Sequence, residues 1–466
     1  MRVHLSGICG TAMASLAGLL HERGHDVSGS DQDVYPPMST QLAELGIPVL
    51  TPYAEANVPA DAELVVIGNA LSRGNPEVEI VLDRKQRFTS LPALLAEEII
   101  RDNTSLVVAG THGKTTTSSL LAHVLHATGR DPGFLIGGVP IDFGRSYRLG
   151  HSGLFVVEGD EYDCAFFDKR PKFVHYAPDV AVIGNVEFDH ADIYSDLAAV
   201  QTAFVRLLNV VPRRGTVIAG IDSPALRALL PRAHSRVETF GLAAEAHWRA
   251  VELKVEGQGS RFRLLREGRD EGEFVLSLPG EHNVHNALAA LAAASAVDVT
   301  PTAARAALQT FRGVKRRLEL RGRVRGVAVY DDFAHHPTAV RETLRALRSL
   351  AGGGRLVAVF EPRSYTSRTR VFQDAFAEAF SGADLVVVAA AHLPGKVPEA
   401  ERLSERDLAS GIVRAGVEAV FIPGVPEIVR HLAASLVEGD CVAILSNGGF
   451  DAVHERLLAA LAATAA

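Results

Sequence analysis

Cysteine is nearly absent from these 466 residues: Cys9, Cys164 and Cys441 stand far apart and form no CxxC pair. That excludes a disulfide framework or a cysteine-built zinc knuckle and makes a reducing compartment, the cytoplasm, the expectation. A long apolar run is also missing; none approaches the roughly 18 residues that a membrane span needs. The opening MRVHLSGICGTAMASLAGLL has no separate basic region and breaks at glycines, so it reads as strand, turn and helix rather than as a signal peptide. Nor is there an excess of positive charge. With 47 basic against 55 acidic residues the net charge is −8, which argues against a chain that coats nucleic acid or an anionic membrane. No internal repeat is visible, and alanine-rich stretches near 287–296 and at the C-terminal end are the nearest approach to low complexity.

What is present is a globular composition, 47% hydrophobic and 22% charged, on a chain too long for one core, since single cores stop growing near about 250–300 residues. Three segments each open on an apolar strand that feeds a loop and a helix, the alternation of parallel α/β layers. The predicted domains are 1–103, with strands at 3–5, 26–29, 47–50 and 64–67, then 104–321, with strands at 106–109, 154–157 and 180–184, and 322–466, with strands at 327–330, 356–360, 385–389, 419–422 and 442–445. Alternating residues near 248–255 and 262–265 predict antiparallel strands within the second domain. The fold class is α/β: a Rossmann-like first domain, a central P-loop ATPase-like domain with a mostly parallel sheet, and a Rossmann-like third domain.

The strongest chemical signal is VVAGTHGKTTTSSLLAHVL at 107–125. An apolar strand runs into Gly110, Thr111, His112, Gly113, Lys114, Thr115 and Thr116, and an amphipathic helix follows. Glycines let backbone N–H groups close on phosphate oxygens at a helix N-terminus. Lys114 reaches β- and γ-phosphates and the Thr115 hydroxyl suits Mg²⁺. The full G-x-x-x-x-G-K-[ST] pattern wants glycine where Val108 stands, so the loop is a shortened variant. Metal ligands belong at the ends of neighbouring strands. LFVVEGDEYD delivers Glu158, Asp160 and Glu161, and VAVIGNVEFDH delivers Asn185, Glu187, Asp189 and His190.

These motifs resemble, in order and along the whole chain, those of the Mur ligases, the ATP-dependent amide-forming enzymes of peptidoglycan precursor synthesis. GTHGKTTT (110–117) is similar to the family's ATP loop, and Glu158 and His190 match its two Mg²⁺ positions, with Thr115 as a further ligand. PGEHNVHNALAA (279–290) places Asn286 against adenine, FRGVKRRLE (311–319) places Arg317 near the phosphates, and DDFAHHPTAV (331–340) brings Asp332, His335 and His336 over ATP. The resemblance thus implies ATP and Mg²⁺, with Lys114, Glu158 and His190 as the catalytic set. Some branches of the family use a carbamylated lysine after the second metal motif; residues 191–214 contain no lysine, so that device is absent.

GICGTAMASLA (7–17) resembles the glycine-rich turn of the branches that bind UDP-N-acetylmuramate itself. It offers Gly7, Cys9, Gly10 and Thr11 to the diphosphate, while GSD (Ser30, Asp31) and NALSRGNPEV (Asn69, Ala70, Ser72, Asn75) fit the uridine and sugar loops. FEPRSYTSR (360–368), LSNGGFDAVHERLL (445–458), VYPPMSTQL (34–42), FLIGGVPIDFG (134–144) and the insertion DKRPKFVHY (168–176) resemble the branch that adds a whole tripeptide, L-alanyl-γ-D-glutamyl-meso-diaminopimelate, in peptidoglycan recycling. Tyr365 and the TSRTR that follows it resemble the alanine-adding branch instead. Arg363, with Ser364 and Asn447, is the candidate acceptor grip, and Arg368, Arg370 and Lys396 are further cations nearby. The implied partners are UDP-N-acetylmuramate, the tripeptide and ATP, with no nucleic acid or membrane, on a monomer or weak homodimer. The alternatives are the same chemistry with L-alanine as acceptor, a P-loop ATPase switch, a non-catalytic nucleotide-sugar binder, and a dehydrogenase. The last lacks its full G-x-G-x-x-G at Gly7–Ala12.

Overall fold

The computed structural model describes residues 1–32, 34 and 38–463. Part of VYPPMSTQL (Tyr35–Pro37) and the last residues of the alanine-rich tail lie outside them.

The chain forms three α/β layers. The first sheet is wholly parallel, in the order Val49–Leu50, Asp26–Ser30, Arg2–Ser6, Leu64–Ile67, Phe88–Thr89. Arg2–Ser6 is central and buried after its first residue. The second sheet has ten strands. Its parallel middle runs Arg236–Gly241, Thr216–Gly220, Val180–Ile183, Thr104–Ala109, Leu154–Glu158, Gly133–Leu135. An antiparallel meander, Trp248–Glu256, Gly259–Arg266 and Arg269–Leu276, extends one edge, and Tyr147–Arg148 closes the other. The third sheet runs Glu319–Val324, Val327–Asp332, Cys441–Leu445, Leu356–Phe360, Leu385–Val388, Glu418–Phe421, parallel except for its first strand. That first strand begins at Glu319, so the division after residue 321 falls inside it, and the boundary of the third sheet lies before Glu319.

From Thr104–Ala109 the chain pairs first to one side, with Leu154–Glu158, and then to the other, with Val180–Ile183. The reversal opens a crevice at the C-terminal ends of these strands, where open α/β sheets hold ligands. Helix Lys114–Ala127 starts in that crevice, its far side packed on helix Glu281–Ser295. That packing orders the alanine-rich stretch.

The first two domains share one hydrophobic cluster: Leu16, Leu19 and Leu20 of helix Thr11–Glu22 belong with Tyr147, Phe155 and Phe204. Gly18 lies so close to the Tyr147 ring that a β-carbon there would collide with it. The third domain has its own clusters on the two faces of its sheet. Its contacts with the central domain are instead polar and aromatic.

Candidate active site

A single cleft of about 2550 Å³ runs between the three domains. Gly7, Asp31 and Asn69 line one end, Lys114, Glu158 and His190 the middle, and Arg363 and Asn447 the other end.

In the middle, Gly110 (φ 129°) and Gly113 (φ 81°) take left-handed backbone values, which let the strand turn directly into the helix. A β-carbon at Gly113 would lie 2.5 Å from Asn286 Oδ1, which also accepts from Thr117 Oγ1 at 3.1 Å. Asn286 therefore sits against the base of the loop. Lys114 Nζ donates to Gly110 O (2.8 Å) and pairs with Glu161 Oε2 (2.8 Å). Burial lowers the pKa of Lys114, but Glu161, Asp160 and Glu158 outweigh it and hold the ammonium well above its ordinary value. Thr115 Oγ1 donates to Glu158 Oε1 at 2.8 Å, and Gly137 N–H donates to Glu158 Oε2 at 2.7 Å. Burial and the nearby Asp160 push Glu158 up.

His190 Nε2 lies 3.3 Å from Glu161 Oε1, an oxygen with no hydrogen bond among the described residues. Burial disfavours the imidazolium, yet Glu161 raises His190 above its ordinary value. Arg317 Nη2 donates to Thr115 Oγ1 at 3.4 Å. Thr115 and Glu158 thus form one contact in the middle of the cleft, and His190 and Glu161 another. Hard oxygens with a nearby imidazole are donors of the kind that suits a small divalent cation.

The third domain meets this centre at Glu187. Thr338 Oγ1 donates to its Oε2 at 2.7 Å, and His112 Nε2 lies 3.3 Å from the same oxygen. His336 caps helix Pro337–Ala351 through Nδ1, which accepts from Thr338 N–H, and its Nε2 donates to Phe188 O. Burial and then His112 lower His336 to about 3, so it stays neutral. Asp332 is buried, accepts from Leu318 N and Ala334 N, and is raised by that burial. His335 lines the cleft, and burial lowers its pKa from the ordinary value.

At the first-domain end, Gly7 turns at φ 86°, and Cys9 N–H and Tyr53 OH both donate to Asp31, at 2.8 and 3.0 Å. Gly10, Thr11, Asn69 and Ala70 line the same wall. Three of the residues singled out in the sequence lie elsewhere. Ser30 is fully buried and donates to Glu77, Asn75 caps helix Pro76–Asp83 by accepting from Glu77 N, and Ser72 is exposed away from the lining. At the third-domain end, Arg363, Ser364 and Asn447 line the cleft, and Asn447 Oδ1 has no hydrogen-bond partner among the described residues. Arg368 is consumed by the carbonyls of His392 and Leu393, and neither Arg370 nor Lys396 reaches the cleft lining. Thr338, Tyr53 and Arg316 were not found in the sequence, because their partners are distant in it. Arg316, whose Nη2 donates to Ser446 O and Gly448 O, is an example.

The architecture and this site define the class, and the chain belongs to the Mur ligase family. Residues 2–102 match the model for the Mur ligase family catalytic domain, 108–294 the Mur ligase middle domain, and 316–448 the Mur ligase glutamate ligase domain. Members are ATP-dependent ligases that form carbon–nitrogen bonds, and so is this chain. It is 44% identical over 466 residues, 99% of its length and 98% of the relative's, to the UDP-N-acetylmuramate–L-alanyl-γ-D-glutamyl-meso-2,6-diaminoheptandioate ligase of Escherichia coli K12. It is 38% identical, over 98% of this chain and 94% of the relative, to the UDP-N-acetylmuramate–L-alanine ligase of Solibacter usitatus. Among solved structures, a murein peptide ligase of Psychrobacter arcticus is similar at a TM-score of 0.75 and 38% identity, with 99% of each chain covered. Among the described residues no helix is long and apolar enough to cross a membrane.

Proposed function

We propose that this chain joins L-alanyl-γ-D-glutamyl-meso-2,6-diaminoheptandioate to UDP-N-acetylmuramate at the expense of ATP, the reaction that returns cell-wall peptide to precursor synthesis. The observation that carries the reading is one cleft in which a phosphate loop, a hard cation site and a nucleotide-sugar loop face one another. Identity to the tripeptide ligase over nearly the whole chain supports the choice of acceptor. The reaction takes place in the cytoplasm, and all three ligand regions come from one chain, so a monomer suffices.

Gly110–Thr116 and Arg317 hold the triphosphate, with Asn286 toward the base and Asp332, His335 and His336 covering the nucleotide from the third domain. Thr115 and Glu158 would hold one Mg²⁺ and His190 would help hold a second, and these ions would neutralise the repulsion between triphosphate and carboxylates. The lactyl carboxylate oxygen attacks the γ-phosphorus, the bond to ADP breaks, and an acyl phosphate forms. The tripeptide's free α-amine then attacks the acyl carbon and phosphate leaves. Lys114 follows the developing charge on the phosphoryl oxygens. Because the reacting groups supply the bonds, positioning and fixed charge account for the catalysis. Arg363, Ser364 and Asn447 receive the acceptor's carboxylates, and Gly7, Cys9, Gly10, Thr11, Asp31, Asn69 and Ala70 the nucleotide sugar.

The test supplies ATP, Mg²⁺ and UDP-N-acetylmuramate with L-alanine or tripeptide in turn and follows phosphate release. Faster turnover with tripeptide is expected, and faster turnover with alanine overturns the acceptor. Comparable ATP hydrolysis with neither acceptor overturns the ligase.

A further inference from the structure

Residues 191–214, just after the second metal motif, hold no lysine, but the fold brings one into the centre from elsewhere. Lys172 belongs to the insertion at 168–176, where Asp163–Ala165 and Asp168–Pro171 form a hairpin that ends in the 3₁₀ turn Lys172–Tyr176. Its side chain is only 10% exposed, yet it lines the cleft. Nζ lies 3.1 Å from Asp160 Oδ2 and 4.1 Å from the centroid of the Tyr162 ring. That ring stands 5.1 Å from the imidazole of His190. The hairpin packs against the first domain. Helix Leu91–Glu98 lies on the 3₁₀ turn, and Phe88 meets Phe167 edge to face at 4.9 Å. Lys172 therefore stands where the domain carrying the nucleotide-sugar loop joins the domain carrying the phosphate loop.

Charge balance says what such a cation is for. Glu158, Asp160 and Glu161 converge here with Lys114 and Lys172. A triphosphate and a substrate carboxylate bring further negative charge. Lys114 leaves the phosphate loop itself and answers the phosphates. An ammonium has three N–H donors, and Asp160 is the one hydrogen-bond partner of Lys172 Nζ among the described residues. We propose that Lys172 binds the carboxylate of the sugar-nucleotide donor and holds it, with Asp160 as counter-charge, for attack on the γ-phosphorus. It forms no covalent bond and transfers no proton. The inference rests on the ligase reading above and adds the residue that distinguishes an acidic donor from a neutral one.

Calorimetry with UDP-N-acetylmuramate and UDP-N-acetylglucosamine, which lacks the lactyl acid, isolates the contact. Wild-type protein with Mg²⁺ and a non-hydrolysable ATP analogue is compared with Lys172→Met, Lys172→Gln and Lys172→Arg, each checked for an unchanged melting temperature. Expected is a loss of about 10–100-fold for the muramyl nucleotide in the Met and Gln variants, none for the glucosamine nucleotide, and recovery in the Arg variant. An unchanged ratio between the two nucleotides overturns the proposal. So does an equal loss for both, or unfolding of Met and Gln variants with full binding in Arg at no preference for the acid. Absence of muramyl-nucleotide binding by the wild type overturns the ligase reading itself, a result separate from any effect of Lys172.

Discussion

The glycine loops at 7–11 and 110–115 are built alike and differ in what lies beneath them. Each leaves a buried strand in the middle of its sheet, turns on glycine at positive φ and opens a helix toward the cleft. Under the second loop Glu158, Asp160, Lys114, Lys172 and His190 line the cleft, with Glu161 buried behind them against Lys114 and His190. Beneath the first is Glu77, fully buried, accepting from Ser6 Oγ, Ser30 Oγ and Asn57 Nδ2 beside His4. One set of charges borders open space in the cleft. The other is closed on itself and fixes the shape of a binding wall. The same strand–loop–helix turn therefore stands over charges that border the cleft in one place and over a carboxylate enclosed by its own donors in the other.

The sharpest break of that comparison is Lys114→Ala. It is expected to lower kcat by about 10³-fold while calorimetric binding of UDP-N-acetylmuramate stays at the wild-type level; a matched loss of binding would join the two loops into one function. Next is Glu77→Ala, which strands several buried donors and is expected to destabilise the chain by about 3 kcal/mol, measured by urea denaturation. Burial opposes ionisation of Glu77, but donation from His4, Ser30, Ser6 and Asn57 depresses it to about 2, from an ordinary 4.5. Its contribution is thus full above pH 4.5 and fades as pH falls toward 2, and the variant should show a flatter acid limb. Asp31→Ala, at the lip of the first loop, is expected to raise KM for the nucleotide sugar about tenfold with KM for ATP unchanged. The smallest effect concerns His190. Its folded-state value lies above the ordinary 6.5 because of Glu161, so its stabilisation is complete below pH 6.5 and is lost as pH rises through the shifted value. His190→Gln should remove that part of the pH dependence of the melting temperature in ligand-free protein.

A second contrast, between domain seams, bears on movement. The first two domains are joined by a shared apolar cluster, whereas the third touches the second through Thr338 with Glu187, His336 with Phe188 and Thr366 with Ala191. Seams made of such polar contacts are where relative domain motion is the default expectation, and here that seam is the one to the third domain.

Much of this was legible before any coordinates. Leu356–Phe360 is buried at all five positions, and such an uninterrupted apolar run declares itself. Phe88–Thr89, Tyr147–Arg148 and the polar Arg269–Leu276 do not, because two residues carry no period and RDEGEFVL has the composition of a loop. Ser30 and Asn75 looked like ligand groups by position, yet a buried carboxylate and a helix N-terminus claimed them.

Sequence alone determined the strand-end chemistry, since the loop carrying Lys114 and the segments carrying Glu158 and His190 each follow a local run of apolar residues. Tertiary structure decided which of the remaining polar groups face ligand and which face protein. Thr338 meets Glu187 across 151 residues and Asn286 meets Thr117 across 169, and Lys172 enters the centre from a hairpin braced on another domain. No spacing rule encodes such meetings, because hydrogen bonds and charge pairs depend on distance in space while the chain records only order.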